Sequence, residues 1–135
     1  MSQRIFGFGL AGLAVMGACA VRDMPDPVEG QIVYDQNCAV CHGVDGQGGG
    51  LLARSVVPAP PDLTLIAAGT DGVFPRTTVL SKIDGYTRRD RAEGMPEFGA
   101  LLQGDTVPVL LEDGNLSPVP RPLAALLVYL ESIQR

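Results

Sequence analysis

Two of the chain's three cysteines and its only histidine stand together in C-A-V-C-H-G, residues 38–43. On a helix, Cys38 and Cys41 lie on one face, and His42 can turn toward the same object. Two thioether bonds to a haem, with the imidazole bound to its iron, would use all three side chains. The spacing therefore predicts one covalently bound haem c, attached through Cys38 and Cys41 and ligated by His42.

Three other uses of this motif fit less well. A thioredoxin-like dithiol would begin a helix near a strand-helix-strand pattern, whereas here a predicted helix precedes Cys38. A structural zinc ion needs four ligands, and outside the motif the chain offers no further histidine and no cysteine except the distant Cys19. A disulfide between Cys38 and Cys41 would close a very small loop and contribute little stability. We therefore favour haem over a dithiol, a zinc site or a disulfide.

A second axial iron ligand within one chain cannot be another histidine, because the chain has only one. Of the four methionines, Met1 and Met16 fall in an expected signal segment and Met24 in a tether, which leaves Met95 in E-G-M-P-E-F-G. Spacing alone leaves open that Met95 simply fills the core. The glycine before it and the proline after it favour a rigid loop that can hold a thioether pointing inward.

Local signals predict the elements around the motif. Asp26-Pro27-Val28-Glu29 predicts the start of a helix that runs into the cysteines and ends near 41–43. We interpret the following GVDGQGGG as a flexible turn, because a phosphate-binding glycine loop would link a strand to a helix. Three prolines predict a stretch without regular structure over 53–65.

The second half of the chain contains weaker signals. Apolar spacing predicts a short helix within 74–83 that ends before Gly85. A small hairpin is expected within 106–120, although its prolines limit strand pairing. From Pro122 onward, helical spacing of the apolar residues predicts a final helix with a buried stripe at positions 123, 126, 127, 130 and 133.

Length and composition limit the possible function. A chain of 135 residues is one domain, and with 5% aromatic residues, 17 glycines and 11 prolines it is rich in loops and poor in large side chains. A bulky apolar cofactor would fill such an interior. Without Arg4, nine basic and fifteen acidic residues give a net charge of −6, so nucleic acid is not an expected partner.

The first residues have the layout of an export signal. Arg4 precedes an apolar stretch from Ile5 to Val15 and small residues from 17 to 20. M-G-A-C at 16–19 is similar to a bacterial lipoprotein box, so we expect a signal peptide over 1–18, lipidation at Cys19, a tether over 19–26 and a folded domain over 27–135. Cleavage by ordinary signal peptidase and an uncleaved anchor are the alternatives.

These features predict a protein on the periplasmic side of the bacterial cell membrane, held by a lipid anchor or, alternatively, soluble in the periplasm. Arg88, Arg89 and Arg91 form a positive cluster in an otherwise acidic chain. We interpret it as a solvated loop face that Asp90 and Glu93 partly neutralise. Docking of a partner or contact with haem propionates is the alternative.

Several motifs agree in register with one family. They are Gly30 and Tyr34 before the cysteines, H-G-x-x-G-x-G from 42, PAPPDLT at 58–64, Ile83 with Gly85, M-P-x-F at 95–98 and L-x-x-Y at 126–129. From about Val28 to its end, the chain resembles the class I cytochrome c family. The loop before Met95 and the segment 103–120 are longer than a minimal member needs.

The resemblance implies an all-α fold of three to four helices, with long Gly- and Pro-rich loops wrapped around one haem. It implies that the terminal helices cross at Gly30 and Tyr34 of the first and Leu126 and Tyr129 of the last. It also implies that a proline carbonyl within 58–61 accepts a hydrogen bond from His42, that Pro60, Pro61 and Leu63 surround the haem, and that Met95 is the second iron ligand.

An iron that carries both His42 and Met95 has no free position for a substrate, so the sequence predicts an electron carrier and not an enzyme. Expected partners are redox donors and acceptors, including membrane respiratory complexes, that meet it through small interfaces. Histidine and methionine ligation in an apolar pocket predicts a fairly high potential. Two alternatives are a ligand sensor or peroxidase-like protein with a labile sixth ligand, and a fixed haem subunit of a larger oxidoreductase.

Overall fold

The structure, a computed structural model, describes residues 23–86 and 94–135. The predicted signal peptide, the lipidation site Cys19 and the arginine cluster at 88–91 lie outside these ranges. Across the two described ranges, no helix combines the length and the apolar character needed to cross a bilayer.

The described residues form four α-helices and one two-stranded antiparallel sheet. The helices are α1 (Pro27–Asn37), α2 (Ala39–His42), α3 (Arg76–Asp84) and α4 (Arg121–Ser132), and the strands are β1 (Thr106–Leu110) and β2 (Leu116–Pro120). Short 3₁₀ turns occur at Ala53–Ser55, Leu63–Leu65 and Ala67–Thr70. The expectation of no regular structure over 53–65 was therefore wrong: Asp62, for example, accepts a hydrogen bond from the Thr64 amide at 2.9 Å and starts the second turn.

The helix that leads into the cysteines begins where the sequence predicts. Asp26 caps it by accepting a hydrogen bond from the Glu29 amide at 2.8 Å, and Pro27 occupies the first turn. The helical path turns at Cys38, whose amide donates to the Tyr34 carbonyl at 2.8 Å and whose carbonyl accepts from the amide of His42 at 2.9 Å. Helices α1 and α2 thus form one continuous support for the cysteine motif.

The two terminal helices pack against each other and form the centre of the core. The rings of Tyr34 on α1 and Tyr129 on α4 lie 5.1 Å apart, and both side chains are buried. The predicted apolar stripe of α4 is confirmed at its four helical positions, because Leu123, Leu126, Leu127 and Leu130 are buried. Ala124 and Ala125 are buried as well. Ile133 lies after the helix and is half-buried.

The antiparallel hairpin corrects the all-α fold class, although a small hairpin is what the local sequence favours. Val107 and Val109 on β1 and Val119 on β2 are buried on one face of the sheet. Pro108 pairs with Pro118 across the ladder. Because proline has no N–H, neither residue of this pair can donate an amide hydrogen bond across the ladder.

Helix α3 ends where the sequence predicts. Gly85 follows it with a φ of 94° and donates its amide to the Ser81 carbonyl at 3.1 Å. Glycine adopts this left-handed conformation without the strain that a side chain would cause. Val79, Leu80 and Ile83 bury one face of α3 against the core that α4 and the hairpin share.

Candidate haem-binding site

His42 is buried at the end of α2 and is held by the backbone of another segment. Its Nδ1 lies 3.3 Å from the Pro61 carbonyl oxygen. A carbonyl oxygen only accepts, so Nδ1 carries the proton and donates, which leaves Nε2 with a free lone pair. Burial lowers the pKa of His42, and the Pro61 carbonyl acts in the opposite direction. A neutral imidazole oriented in this way is suited to bind a metal through Nε2.

Cys38 and Cys41 are half-buried free thiols. Burial first, and then the neighbouring Cys41, raise the pKa of the Cys38 thiol to about 11. A redox dithiol of the thioredoxin type relies on a lowered pKa, so this environment argues against that interpretation. Cys38 and Cys41 are set three residues apart beside His42.

The glycine-rich segment after His42 folds back on the helix end. Gly48 donates its amide to the His42 carbonyl at 2.8 Å, and Gly50 donates to the Cys41 carbonyl at 3.1 Å. These bonds satisfy carbonyls that a helix end leaves without partners. The segment is a turn, as predicted, but backbone hydrogen bonds fix it to the cysteine motif, whereas the sequence suggests a flexible turn.

Pro60, Pro61 and Leu63, which are predicted to surround the haem, all contact the glycine-rich segment after His42. A Cβ at Gly48 would stand 2.4 Å from the Pro60 carbonyl oxygen, and Leu63 donates its amide to the Gly46 carbonyl at 2.7 Å. Together with the bond from His42 to Pro61, these contacts bring the proline segment against the cysteine motif. The structure also identifies Pro61 as the proline whose carbonyl holds His42, which the sequence leaves undecided within 58–61.

Met95 is half-buried at the edge of the core, as are Cys38 and Leu63. Its loop lies against the proline-containing segment on one side, where a Cβ at Gly94 would stand 2.8 Å from the Val57 carbonyl oxygen. Phe98 anchors the loop on the other side by donating its amide to the Ile83 carbonyl at 2.9 Å. The predicted second ligand is therefore part of the same core as the cysteine motif.

Sequence reasoning missed the residues that hold the proline segment from the chain end. Gln134 donates to the Leu63 carbonyl at 2.8 Å and accepts from the Ala67 amide at 2.9 Å. Arg135 pairs with Asp62, their nitrogen and oxygen lying 3.0 Å apart. These contacts join positions about seventy residues apart, and nothing in the local sequence indicates them.

The side chains of the site fit a covalently attached haem. Two free thiols can form thioethers, His42 presents an unused Nε2, and Met95 offers a thioether sulfur at the core edge. Large apolar side chains on the surrounding segments are exposed, among them Val44, Leu51 and Val57.

A buried imidazole directly behind two free thiols defines a site of the covalent haem-binding type. The family model described as Cytochrome c matches residues 27–109. This range covers more than half of the chain, and the chain therefore belongs to the cytochrome c family. The family binds haem c covalently and functions in haem-based electron transfer, and Cys38 and Cys41 have the spacing of its haem-binding motif.

Among solved structures, the chain is similar to a chain of the Kuenenia stuttgartiensis reducing HAO-like protein complex Kustc0457/Kustc0458. The TM-score is 0.54 at 22% sequence identity, and the alignment covers 83% of this chain and 45% of that one. The chain thus spans less than half of its structural neighbour, and the likeness concerns the fold alone. The comparison with curated proteins found no match.

Proposed function

We propose that this protein is a monohaem c-type cytochrome that transfers single electrons outside the cytoplasm. In this proposal, Cys38 and Cys41 attach the haem, and His42 and Met95 are its two axial ligands. The observation that carries the proposal is the buried imidazole of His42, whose Nδ1 is held by Pro61 and whose Nε2 is left without a partner in the described structure. When bound, haem supplies an iron that takes one electron from a donor and passes it to an acceptor.

The residues of the site each have a part in this function. The Pro61 carbonyl fixes the orientation of His42 and increases its donor strength. Met95, as the second ligand, would occupy the position that a substrate or a small ligand would otherwise take. Histidine and methionine ligation in an apolar site favours ferrous iron, so we expect a fairly high midpoint potential.

Optical spectra test the ligand set. The full chain, matured in a haem-attaching host, is measured oxidised, reduced, and reduced with carbon monoxide. We expect a c-type spectrum that carbon monoxide does not change in the natural protein and does change in Met95→Ala. Met24→Ala is the matched control, because Met24 lies in the exposed segment before α1 and should leave the spectra unchanged.

Two results would contradict the proposal. Rapid carbon monoxide binding by the natural protein would indicate an accessible iron and favour a ligand sensor or peroxidase-like function. A protein that acquires no covalent haem would exclude both functions. A strongly negative midpoint in a redox titration would overturn the expected high potential alone.

The proposal places the domain at the periplasmic face of the cell membrane, anchored by a lipid on Cys19. A short tether would keep the haem at a high local concentration near membrane-bound redox partners. The test is fractionation of cells that produce the natural protein or Cys19→Ser. We expect the natural protein in the membrane fraction and the variant in the soluble periplasm; equal distribution of the two would contradict lipidation.

A fixed haem subunit of a larger oxidoreductase is the second candidate. It is favoured by the structural neighbour, which belongs to a complex in Kuenenia stuttgartiensis and is more than twice as long as the part that matches. Pull-down of the full chain from its native host under low salt distinguishes a fixed subunit from a free electron carrier. A stoichiometric catalytic subunit would support the second candidate, and a monomer in size-exclusion chromatography would support a free carrier.

A further inference from the structure

Helix α3 receives its N-terminal cap from the hairpin. Pro75 precedes the helix and offers no side-chain hydrogen bond to the first turn, where amide groups lack partners within the helix. Glu112, in the loop between β1 and β2, takes this place. Its Oε1 accepts from the Thr77 amide at 3.0 Å, and its Oε2 accepts from the Thr77 hydroxyl at 2.5 Å. A residue 35 positions away in sequence therefore caps α3.

A second polar contact joins the hairpin, α3 and α4 at the same end. Arg76 donates to the Leu110 carbonyl at 2.9 Å and pairs with both carboxylate oxygens of Glu131 on α4. Two clefts of about 270 and about 230 Å³, both open to solvent, lie between α3 and the hairpin region. The hydrogen bonds of Glu112 and Arg76 are polar contacts that hold the start of α3 against the hairpin.

The hairpin is a firm support for this cap. Val107 and Val109 are each 1% exposed and Val119 is 5% exposed, so the inner face of the sheet is part of the core. By contrast, α3 has nine residues, a length at which an isolated helix is unstable in water. The position of α3 therefore depends on what holds it from outside.

The opposite end of α3 carries the loop of Met95. The Phe98 amide donates to the Ile83 carbonyl in the last turn at 2.9 Å. At Gly85 the fit is so close that an added Cβ would stand 2.5 Å from Glu97 Cγ. The loop around Met95 thus rests on the last turn of α3, and a displaced helix would displace the loop.

We propose that Glu112 is a positioning residue for Met95, because it caps the helix on whose last turn the Met95 loop rests. The inference rests on the proposed ligation by Met95. Without the cap, α3 opens more often at its start, its last turn loses its fixed position, and Met95 leaves the iron more often. An external ligand then reaches the open position faster.

The test measures two quantities on the full-length haem-loaded protein and its variants. One is the rate of carbon monoxide binding to the reduced protein; the other is hydrogen exchange of the Phe98 amide, which reports the contact with α3 directly. We expect Glu112→Ala to raise both by roughly fivefold or more, the effect of losing a helix cap. Glu112→Gln keeps one acceptor oxygen and should give intermediate values.

Asp113→Asn is the matched control. Asp113 lies beside Glu112 and loses the same charge in this variant, but its carboxylate accepts from Asn115 within its own turn. Both rates should therefore stay at their natural values. If Glu112→Ala proves unable to fold, Glu112→Gln and Thr77→Ala, each of which removes part of the cap, should still raise both rates.

The outcomes separate this inference from the proposed ligand set. If Glu112→Ala behaves like Asp113→Asn in both measurements, the positioning role is wrong and ligation by Met95 is unaffected. If Met95→Ala gives the same spectra as the natural protein, Met95 is not an iron ligand, and its loop has no ligand role. In that case, Phe98 exchange in Glu112→Ala alone decides whether Glu112 holds the loop in place.

Discussion

Gly30 on α1 lies directly against the carbonyl oxygen of Ala125 on α4: a Cβ at position 30 would stand 2.0 Å from that oxygen. It would also stand 2.6 Å from the Cβ of Tyr129. No side chain fits there, so the distance between the two terminal helices depends on glycine at this position. Because α1 continues into the helix that carries His42, the same contact fixes the cysteine motif relative to the core.

Gly30→Ala should therefore strongly destabilise the folded protein. The atom that the new methyl group would meet belongs to the backbone of a buried helix and cannot move aside as a flexible side chain could. Overpacking of a core commonly costs about 1–3 kcal/mol, and we expect a loss of about 3 kcal/mol or more here. Denaturant unfolding of the haem-loaded protein measures it.

Gly69→Ala is the control for this substitution. An added Cβ at Gly69 meets nothing within 4 Å, and its backbone is not left-handed. The free energy of unfolding should change by less than about 0.5 kcal/mol, as for most surface substitutions. Equal losses in the two variants would contradict the packing argument.

A surface ion pair at the same helix crossing should contribute much less. Arg121 on α4 donates from two nitrogens to the two carboxylate oxygens of Glu29 on α1, both at 2.9 Å, and each side chain is 38% exposed. Exposed pairs contribute about 0.2–1 kcal/mol, and salt weakens them. A double-mutant cycle with Glu29→Gln and Arg121→Gln should give a coupling energy in this range that decreases at high salt. A salt-independent coupling of several kcal/mol would contradict it.

The sequence predicts the helices well because their signals are local. The cap at Asp26, the glycine after Asp84 and the apolar spacing from Leu123 each act within a few residues, and all three are confirmed. The all-α class was wrong because the family resemblance outweighed a local signal. The hairpin predicted within 106–120 is confirmed, whereas the burial of its valines against the core has no local signal.

In the candidate site, too, some features follow from the local sequence and others depend on contacts between distant segments. The cysteine motif is evident from spacing, whereas the choice of Pro61 among the three prolines of 58–61 depends on how two distant segments meet. The contacts of Gln134 and Arg135 with the proline segment, and the cap that Glu112 gives α3, have no local signature. Ligation by Met95 stays a prediction, supported by its place at the edge of the same core.

Stability should fall in mild acid partly through Asp62. The hydrogen bond from the Thr64 hydroxyl first, and then other contacts including the charge of Arg135, hold the pKa of Asp62 below its usual value. A carboxyl group whose pKa is lower in the folded state stabilises the protein above the unfolded pKa of about 3.9. That contribution disappears as the pH falls through the lower, folded-state pKa.

The measurement is the free energy of unfolding as a function of pH between about 5 and 2.5, a window that spans the unfolded pKa. Asp62→Asn should make the acid decline shallower than in the natural protein, because one linked proton is removed. Thr64→Val removes the hydroxyl donor at 2.6 Å and should also flatten the decline, though by less. Identical slopes in all three proteins would show that Asp62 does not contribute.

Tyr34 stabilises the site through its hydroxyl as well as through its ring. The hydroxyl donates to the Gly43 carbonyl at 2.6 Å, and the side chain is fully buried. Burial first, with nearby ionisable groups adding to it, raises the pKa of Tyr34, so the hydroxyl remains a donor at all ordinary pH values. Gly43 directly follows His42, so this bond holds the backbone at the proposed iron ligand.

Tyr34→Phe should keep the ring packing on Tyr129 and remove one of the two donors to the buried Gly43 carbonyl, the other being the Gly46 amide. Losing one hydrogen bond costs about 0.5–1.5 kcal/mol, and we expect a loss of this size in denaturant unfolding. Hydrogen exchange of the Gly46 amide, which donates to the same carbonyl at 3.2 Å, should rise as well. Tyr86→Phe, at an 87% exposed tyrosine, is the control and should change neither quantity. If both variants are as stable as the natural protein, the hydroxyl has no structural role, and the ring contact with Tyr129 alone accounts for a tyrosine at this position.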